Sequence, residues 1–472
     1  MFLITICLRD AMLNTELVRN NPDLIRKDLE KRNEPEKLAL LEELIEKDRD
    51  WRALKGEADA LRNKRNLLSQ EINTAKKQGK DISALLEEAK LIPQKISDSE
   101  KKISELQAKC RQLLLLLPNV LHESVPVGKD DSENVVVKQG KKPKNQGFEI
   151  KHHGALASSL GIADFERAVK ISGTGFFFLK GELALLDIAL QRFAIDRLIK
   201  QGFVLVQPPF LMRRKPYEGV APLSDFEEVM YRIEGEDLYL IATSEHPLTS
   251  MHMDEIIEEE SLPLKMAGVS SCFRREIGKH GLDERGFFRV HQFNKIEQII
   301  LCMPEDSYKW IEVLRKNAEE LLTALGIPWN TTNVCTGDMG TVAAKKYDIN
   351  GWSPRENKYI ELMSCSNCTD YQSAGLNMRF RKKNMEKGLV HTLNSTMVAT
   401  TRTLRIIIEN FQTKQGTIKV PKPLQKYMNG LKEIGSVKKN VKIKQKRKGK
   451  KSSGKPKKKR RPVSLRKKSL KK

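Results

Sequence analysis

From Trp51 onward, apolar side chains return every three or four residues along one face: Trp51, Leu54, Ala58, Leu61, Leu68, Ile72 and Ala75, with Arg65 the one polar intrusion. This is the spacing of a coiled-coil seam. After the polar break Lys76-Lys77-Gln78-Gly79-Lys80-Asp81 the pattern resumes as Leu85, Ala89, Ile92, Ile96, Ser99, Ile103, Leu106, Cys110, Leu113 and Leu117. Two long helices joined by a tight, glycine-containing turn make an antiparallel hairpin. At 1.5 Å per residue each helix reaches roughly 50–60 Å, more than a compact domain can cover, so the hairpin must project as an arm. Pro93 lies inside the second helix, removes a backbone donor and predicts a bend. A dimerisation coiled coil has this spacing. So does an arm for nucleic acid, which the crowding of Arg62, Lys64, Arg65, Lys76, Lys77 and Lys80 in the distal half favours. Spacing alone leaves both open.

Beyond the hairpin, Pro118 ends the second helix, and the Gly-, Pro-, Asp- and Lys-rich stretch from Val125 to Gln146 reads as a linker. Leu183–Lys200 has helical periodicity, Phe203–Val206 is a short apolar strand, and Arg289–Cys302 has the alternation and β-branching of a strand. Nothing repeats at a fixed period. The simplest partition is an N-terminal extension (1–11), a helical arm domain (12–124), a linker (125–149), a single α+β domain (150–430) and a basic tail (431–472). With 472 residues, 39% of them hydrophobic, the chain has room for a sizeable core.

The net charge of +24 is mostly a property of the tail, where 21 Lys and Arg stand against the single Glu433 and leave about +4 for everything before it. The tail has almost no apolar content to offset ordering entropy and should be disordered. A sequence-independent grip on phosphates is the favoured role, with nuclear import and a plain solvated tail as alternatives. The seven scattered cysteines do not form a disulfide framework and point to a reducing, cytoplasmic compartment. The apolar run at residues 2–8 has no basic flank before it and is too short for a membrane span; Met12 is the expected start of the ordered protein.

The chemistry concentrates in Cys272-Phe273-Arg274-Arg275-Glu276, a loop with Gly278, Gly281 and Gly286, and Arg289-Val290-His291-Gln292-Phe293-Asn294-Lys295-Ile296-Glu297. Two strands carrying Arg, Glu and one aromatic platform suit a nucleotide. No phosphate loop or dinucleotide fingerprint is present, so guanidinium groups would hold phosphate. This segment resembles motif 2 of class II aminoacyl-tRNA synthetases in the form typical of the seryl-tRNA synthetase family. Gly202-Phe203, Val206 and Pro209-Phe210-Leu211 are similar to motif 1, which in the family lies at a dimer interface. Thr243-Ser244-Glu245 resembles the serine-binding segment. The run from Glu361 to Gln372 resembles the metal and ATP strand, and His391-Thr392-Leu393-Asn394 leads into a motif 3 ending at Arg402. The resemblance covers nearly everything from Met12 to about Gly430, and five ordered motifs are far more specific than any one.

The resemblance implies a class II antiparallel-sheet catalytic domain flanked by helices and preceded by the arm. The arm's family role is to bind serine tRNA; selenocysteine tRNA is a further candidate. It implies a homodimer with no membrane association, and ATP and Mg²⁺ as the chemical requirements. Arg274 would hold the α-phosphate and the serine carboxylate together, so that catalysis is positioning and charge neutralisation. Glu276 would contact the adenine amino group, Phe293 stack on the ring and the Val290 backbone touch the base. Arg275, Arg289, Leu362 and Met363 complete the ATP set, and Arg402 takes the γ-phosphate. Glu361 and Ser364 would serve Mg²⁺. L-Serine would be read by Thr243, Ser244 and Glu245 near its amino group and by Glu297 and Thr396 near its hydroxyl.

In isolation Arg274, Glu276 and Glu297 would be surface ion-pair residues and Phe293 a core ring; the shared motif raises them to functional status. Cys365-x-x-Cys368 has the spacing of half a zinc site, but no matching second pair exists, and packed, reduced thiols are the better reading. His291 beside the motif could pass for a base, yet a carboxylate nucleophile needs none, so its role is structural. Motif 3 lacks the glycines of the general class II pattern and resembles the archaeal and eukaryotic cytosolic variant. A synthetase-like protein without catalysis would show damage at Arg274, Glu276, Glu361 or Arg402, and none is seen. Specificity for another amino acid is the second alternative.

Overall fold

The computed structural model describes residue 13 and residues 15–222, 229–276 and 286–435. The expectations for the N-terminal extension, for Gly278 and Gly281, and for all but the first five residues of the basic tail lie outside the described residues.

The arm is made of α1 (Pro35–Lys77) and α2 (Ser83–Leu116). Pro35 starts α1, where its missing N–H costs nothing. Gly79 turns the chain with φ 68°, a conformation that only glycine adopts freely. Seam residues Ala58, Leu68, Ile92 and Ile96 are buried between the helices as the periodicity predicts. Lys109–Glu43 at 2.9 Å and Arg62–Glu100 at 2.8 Å join the helices in antiparallel order. Helix α2 continues unbroken through Pro93.

At its base the arm is bonded to the rest of the chain. Tyr371 Oη donates to Leu117 O at 2.6 Å and Asn119 Nδ2 to Cys368 O at 2.8 Å, and within the N-terminal domain Arg32 Nη2 holds Asn119 O at 2.7 Å. All but one of the buried apolar residues of this base come from residues 13–117; the other is Tyr371.

The centre of the remaining fold is an eight-stranded sheet. Its strands, in chain order, are β1 (Val135–Gln139), β2 (Val204–Val206), β3 (Leu264–Phe273), β4 (Gln292–Cys302), β5 (Trp329–Asn333), β6 (Lys345–Ser353), β7 (Lys358–Thr369) and β8 (His391–Ala399). They lie in the order β1-β5-β6-β7-β8-β4-β3-β2, antiparallel except for β2 beside β3. Residues 125–149 therefore do more than connect: three exposed valines and their neighbours form the edge strand β1 against β5. Helices α3 (Gly181–Lys200), α4 (Ser307–Leu325) and α5 (Thr400–Phe411) bury Leu186, Leu190, Leu314, Leu321 and Ile407 with Ile296, Ile300 and Leu393 of the sheet. Each such side chain contributes roughly 1.5–3 kcal/mol. The described chain extends past residue 430, because Glu433–Ile434 pairs with Ile418–Lys419.

Candidate active site

The central strands β3, β4, β8 and β7 carry the polar residues on one another's flanks. In β4 the alternation of a strand puts Phe293, Lys295 and Glu297 on a common face. Two bulges re-aim the neighbouring strands. On β7, Ile349 pairs with Met363 but Asn350 with Glu361, so Leu362 is an extra residue. Glu361 and Ser364, three apart and on opposite faces of a regular strand, thereby both line one cavity. On β8 the shift falls between Thr396 and Val398, and Thr396 and Ala399 likewise both face it. The same displacement leaves Met363 in the core at 1% exposure, and its side chain is not among those that line the cavity.

The cavity is about 180 Å³. Arg274 enters just beyond β3, its N–H donating to His291 O at 2.9 Å and its guanidinium 5.4 Å from the Phe293 ring centroid. Arg402, from the first turn of α5, pairs with Glu361 Oε2 at 3.2 Å and lies 5.4 Å from the ring of Phe288. Enclosure in the cleft would raise the Glu361 carboxyl, but the charges of Arg402, Lys346 and Arg274 outweigh it and hold it below its ordinary range. Glu276, Val290 and Leu362 complete this side. Glu276 also pairs with Arg289 at 3.4 Å. Arg275 and Arg289 do not line the cavity; their side chains are exposed.

Lys295 lines the cavity and leads from it into a second polar cluster. Its ammonium lies 2.6 Å from Glu297 Oε2 and donates to Thr243 Oγ1 at 3.3 Å. Glu245 Oε1 accepts from Asn394 Nδ2 at 3.0 Å and from Gln372 Nε2 at 3.2 Å. Burial, and then the negative charge of Glu297, push Glu245 up to about 7. Burial also raises Glu297, with Lys295 pulling the other way. Lys295, helped by the charge of Arg274, opposes these two carboxyls without overcoming their burial, and a cationic ligand would favour their charged forms. Ser244 packs against Gly268, the register partner of Glu297: a Cβ placed on Gly268 would lie 2.6 Å from its Oγ. His246 is driven down to about 3 by burial and by the charges of Arg274 and Lys295, and is neutral.

Lys295, Gln372 and Asn394 stand inside the sequence motifs but were given no role there, and Phe288 was not singled out. The period of two from Phe293 to Glu297 could have assigned Lys295; nothing local marks Phe288. Asp348 was also missed. It faces Ser364 across β6 and β7, pairs with Lys346 at 3.2 Å and is pushed up to about 7 by burial, with Lys346 opposing and Glu361 reinforcing. His291 is a structural group: it bonds the Tyr231 hydroxyl at 2.6 Å and stacks on Phe176. Cys365 and Cys368 are buried and free, their sulfurs against Ile311 O and Asn394 Nδ2.

Residues 228–411 match the class II tRNA synthetase core domain (G, H, P, S and T), and residues 12–121 match the seryl-tRNA synthetase N-terminal domain. The serine–tRNA ligase of Methanocella arvoryzae is 56% identical over 89% of this chain and 99% of its own. The crystal structure of seryl-tRNA synthetase from Pyrococcus horikoshii complexed with ATP superposes with a TM-score of 0.84 at 45% identity, over 89% of this chain and 99% of that one. A cytoplasmic serine–tRNA ligase from Naegleria fowleri in complex with AMP does so with a TM-score of 0.80 at 34% identity, over 89% and 98%. The chain belongs to the seryl-tRNA synthetase family, the class II serine–tRNA ligases.

Proposed function

We propose that the cleft takes ATP and serine side by side and that the chain esterifies serine to serine tRNA in two steps. The serine carboxylate attacks the α-phosphorus and pyrophosphate leaves; the terminal ribose hydroxyl of tRNA then attacks the seryl carbonyl and AMP leaves. The observation that carries this reading is that one cavity joins Arg274, Arg402 and Glu361 to Lys295, which opens onto the Glu245–Glu297 cluster. The ATP and AMP complexes of the two relatives support it.

In this reading Arg274 holds the α-phosphate and the serine carboxylate together, so two anions meet with their repulsion neutralised. Arg402 takes the γ-phosphate, and Glu276, Val290, Leu362 and Phe293 take the adenine end, with Arg275 and Arg289 at the rim and Met363 contributing backbone alone. Glu245, with Thr243 and Ser244, receives the serine ammonium. Glu297 and Thr396 receive the hydroxyl; an acceptor built for a hydroxyl is left unpaired by alanine, which can discriminate by as much as ~10⁴–10⁵.

Glu361 and Ser364 offer a carboxylate and a hydroxyl, both oxygen donors. Among the described residues no group of three or more His, Cys, Asp or Glu could hold a metal alone. That set fits Mg²⁺, which keeps few protein ligands and takes the rest from phosphates and water. Bound there, it would neutralise phosphate charge.

The arm is the tRNA-binding element. Arg65, Lys76, Lys77 and Lys80 are exposed on it and make no ion pair among the described residues. Selenocysteine tRNA is a second substrate to test in the same charging assay. The exposed Val204 and Leu205 of edge strand β2, with Ile188 and Ile199 of α3, are the face proposed for the homodimer. Buried free thiols and the lack, among the described residues, of a helix able to cross a membrane suit a cytoplasmic enzyme. Arg274→Ala should abolish serine-dependent ATP–pyrophosphate exchange; undiminished exchange would remove Arg274 from the site.

A further inference from the structure

We infer that His153 is a positioning residue for the nucleotide end of the cleft, acting through the backbone of Phe287 to fix the ring of Phe288. The inference rests on the ATP site proposed above.

His153 is fully buried, yet no step of the proposed reaction uses it. The N–H of Phe287 donates to His153 Nε2 at 3.1 Å, so Nε2 is an acceptor and the ring proton sits on Nδ1. Nδ1 faces Glu409 Oε1 at 3.3 Å. Glu409 is held in turn by Arg405 Nε at 3.0 Å and by the hydroxyl of Ser353, and Arg405 pairs with Glu356. The imidazole is thus braced from the side of α5 and β6. Its other nitrogen accepts the backbone N–H of Phe287.

That N–H belongs to the segment re-entering the cleft. Phe287 is fully buried against Phe165, Phe177 and His153. The next residue, Phe288, lines the cavity and lies under both Arg402 (5.4 Å) and Arg405 (4.6 Å). On the other side, a Cβ on Gly286 would come within 2.2 Å of His153 Nε2, so glycine at 286 serves close approach to the imidazole. Arg402 thus rests on a ring whose backbone is set by His153. Removing the acceptor frees Phe287 to shift, and Phe288 with it. Serine contacts, on the far side of Lys295, are not part of this array.

The test is steady-state serine-dependent ATP–pyrophosphate exchange by the full chain, with KM for ATP and for serine measured separately in His153→Ala, His153→Gln and His153→Asn, and Arg274→Ala as a control. Glutamine can return an acceptor to the Nε2 position, whereas asparagine reaches only the Nδ1 position and keeps the link to Glu409. Loss of a buried acceptor should raise the ATP KM about tenfold in the Ala and Asn variants. The serine KM should stay within about twofold, and Gln should restore the ATP KM to within about threefold. If Ala does not fold, the contrast between Gln and Asn decides. Parallel rises in both KM values, or equal behaviour of Gln and Asn, overturn the inference. Exchange that survives Arg274→Ala undiminished would instead overturn the underlying site.

Discussion

The arm and the sheet domain handle charge in opposite ways. On the arm, Arg65, Lys76, Lys77 and Lys80 stand in water over a thin apolar seam, and such charges act at a distance and without fixed partners. In the sheet domain Lys295, Glu297, Arg405 and Glu409 are buried, and each is held by a named partner. A desolvated ion is tolerated only when paired, so these four charges are fixed in place by their partners. The difference supports the proposed division of labour, a long polyanion on the arm and chemistry in the cleft.

Lys295→Met breaks this contrast most severely, since it leaves Glu297 buried without its cation. Urea denaturation should show a loss of about 3–5 kcal/mol. Removing the ring proposed to stack on adenine comes next: Phe293→Leu should raise the ATP KM by the equivalent of about 1–3 kcal/mol, with the serine KM nearly unchanged.

The pH dependence of serine binding sharpens the account of the buried cluster. Glu245 sits at about 7 in the unliganded cleft, raised by burial and by Glu297. Above that pH it is a carboxylate and attracts an ammonium group; below it, it is protonated and does not. The serine KM should therefore be flat above pH 7 and rise about tenfold per unit below it, a slope that Glu245→Gln removes. The smallest effects belong to the arm. Exchanging Lys76, Lys77 and Lys80 for alanine should leave pyrophosphate exchange untouched and lower the salt slope of tRNA binding by about 0.9 for each phosphate that is no longer neutralised. A changed exchange rate would break the division of labour.

The same contrast explains what the sequence disclosed. Ala58, Leu68, Ile92 and Ile96 repeat within their own helices, so local periodicity finds the seam and the arm. The order of motifs locates Arg274, Glu297, Glu361 and Arg402. The bulge at Leu362 is not local: a strand of regular alternation would set Glu361 and Ser364 on opposite faces, and only pairing with β6 reveals the extra residue that turns Met363 inward. Gln372 and Asn394 meet at Glu245 from segments more than 120 residues away. Gly286 read only as one of three glycines in a loop, but its place is set by an imidazole that lies 133 residues earlier in the chain. Edge strand β1 was passed over although Val135-Val136-Val137 is a β-branched run, because the Gly-, Pro-, Asp- and Lys-rich residues around it set the reading of the whole stretch, and its partner β5 lies almost 200 residues further on.

The most direct test of the central claim is ATP–pyrophosphate exchange by the full chain without tRNA, with serine, threonine and alanine each supplied alone. Exchange with serine, and with neither of the others above a small background, is the predicted result. Absence of exchange with serine, or exchange with threonine as fast as with serine, would contradict a cleft that activates serine by itself.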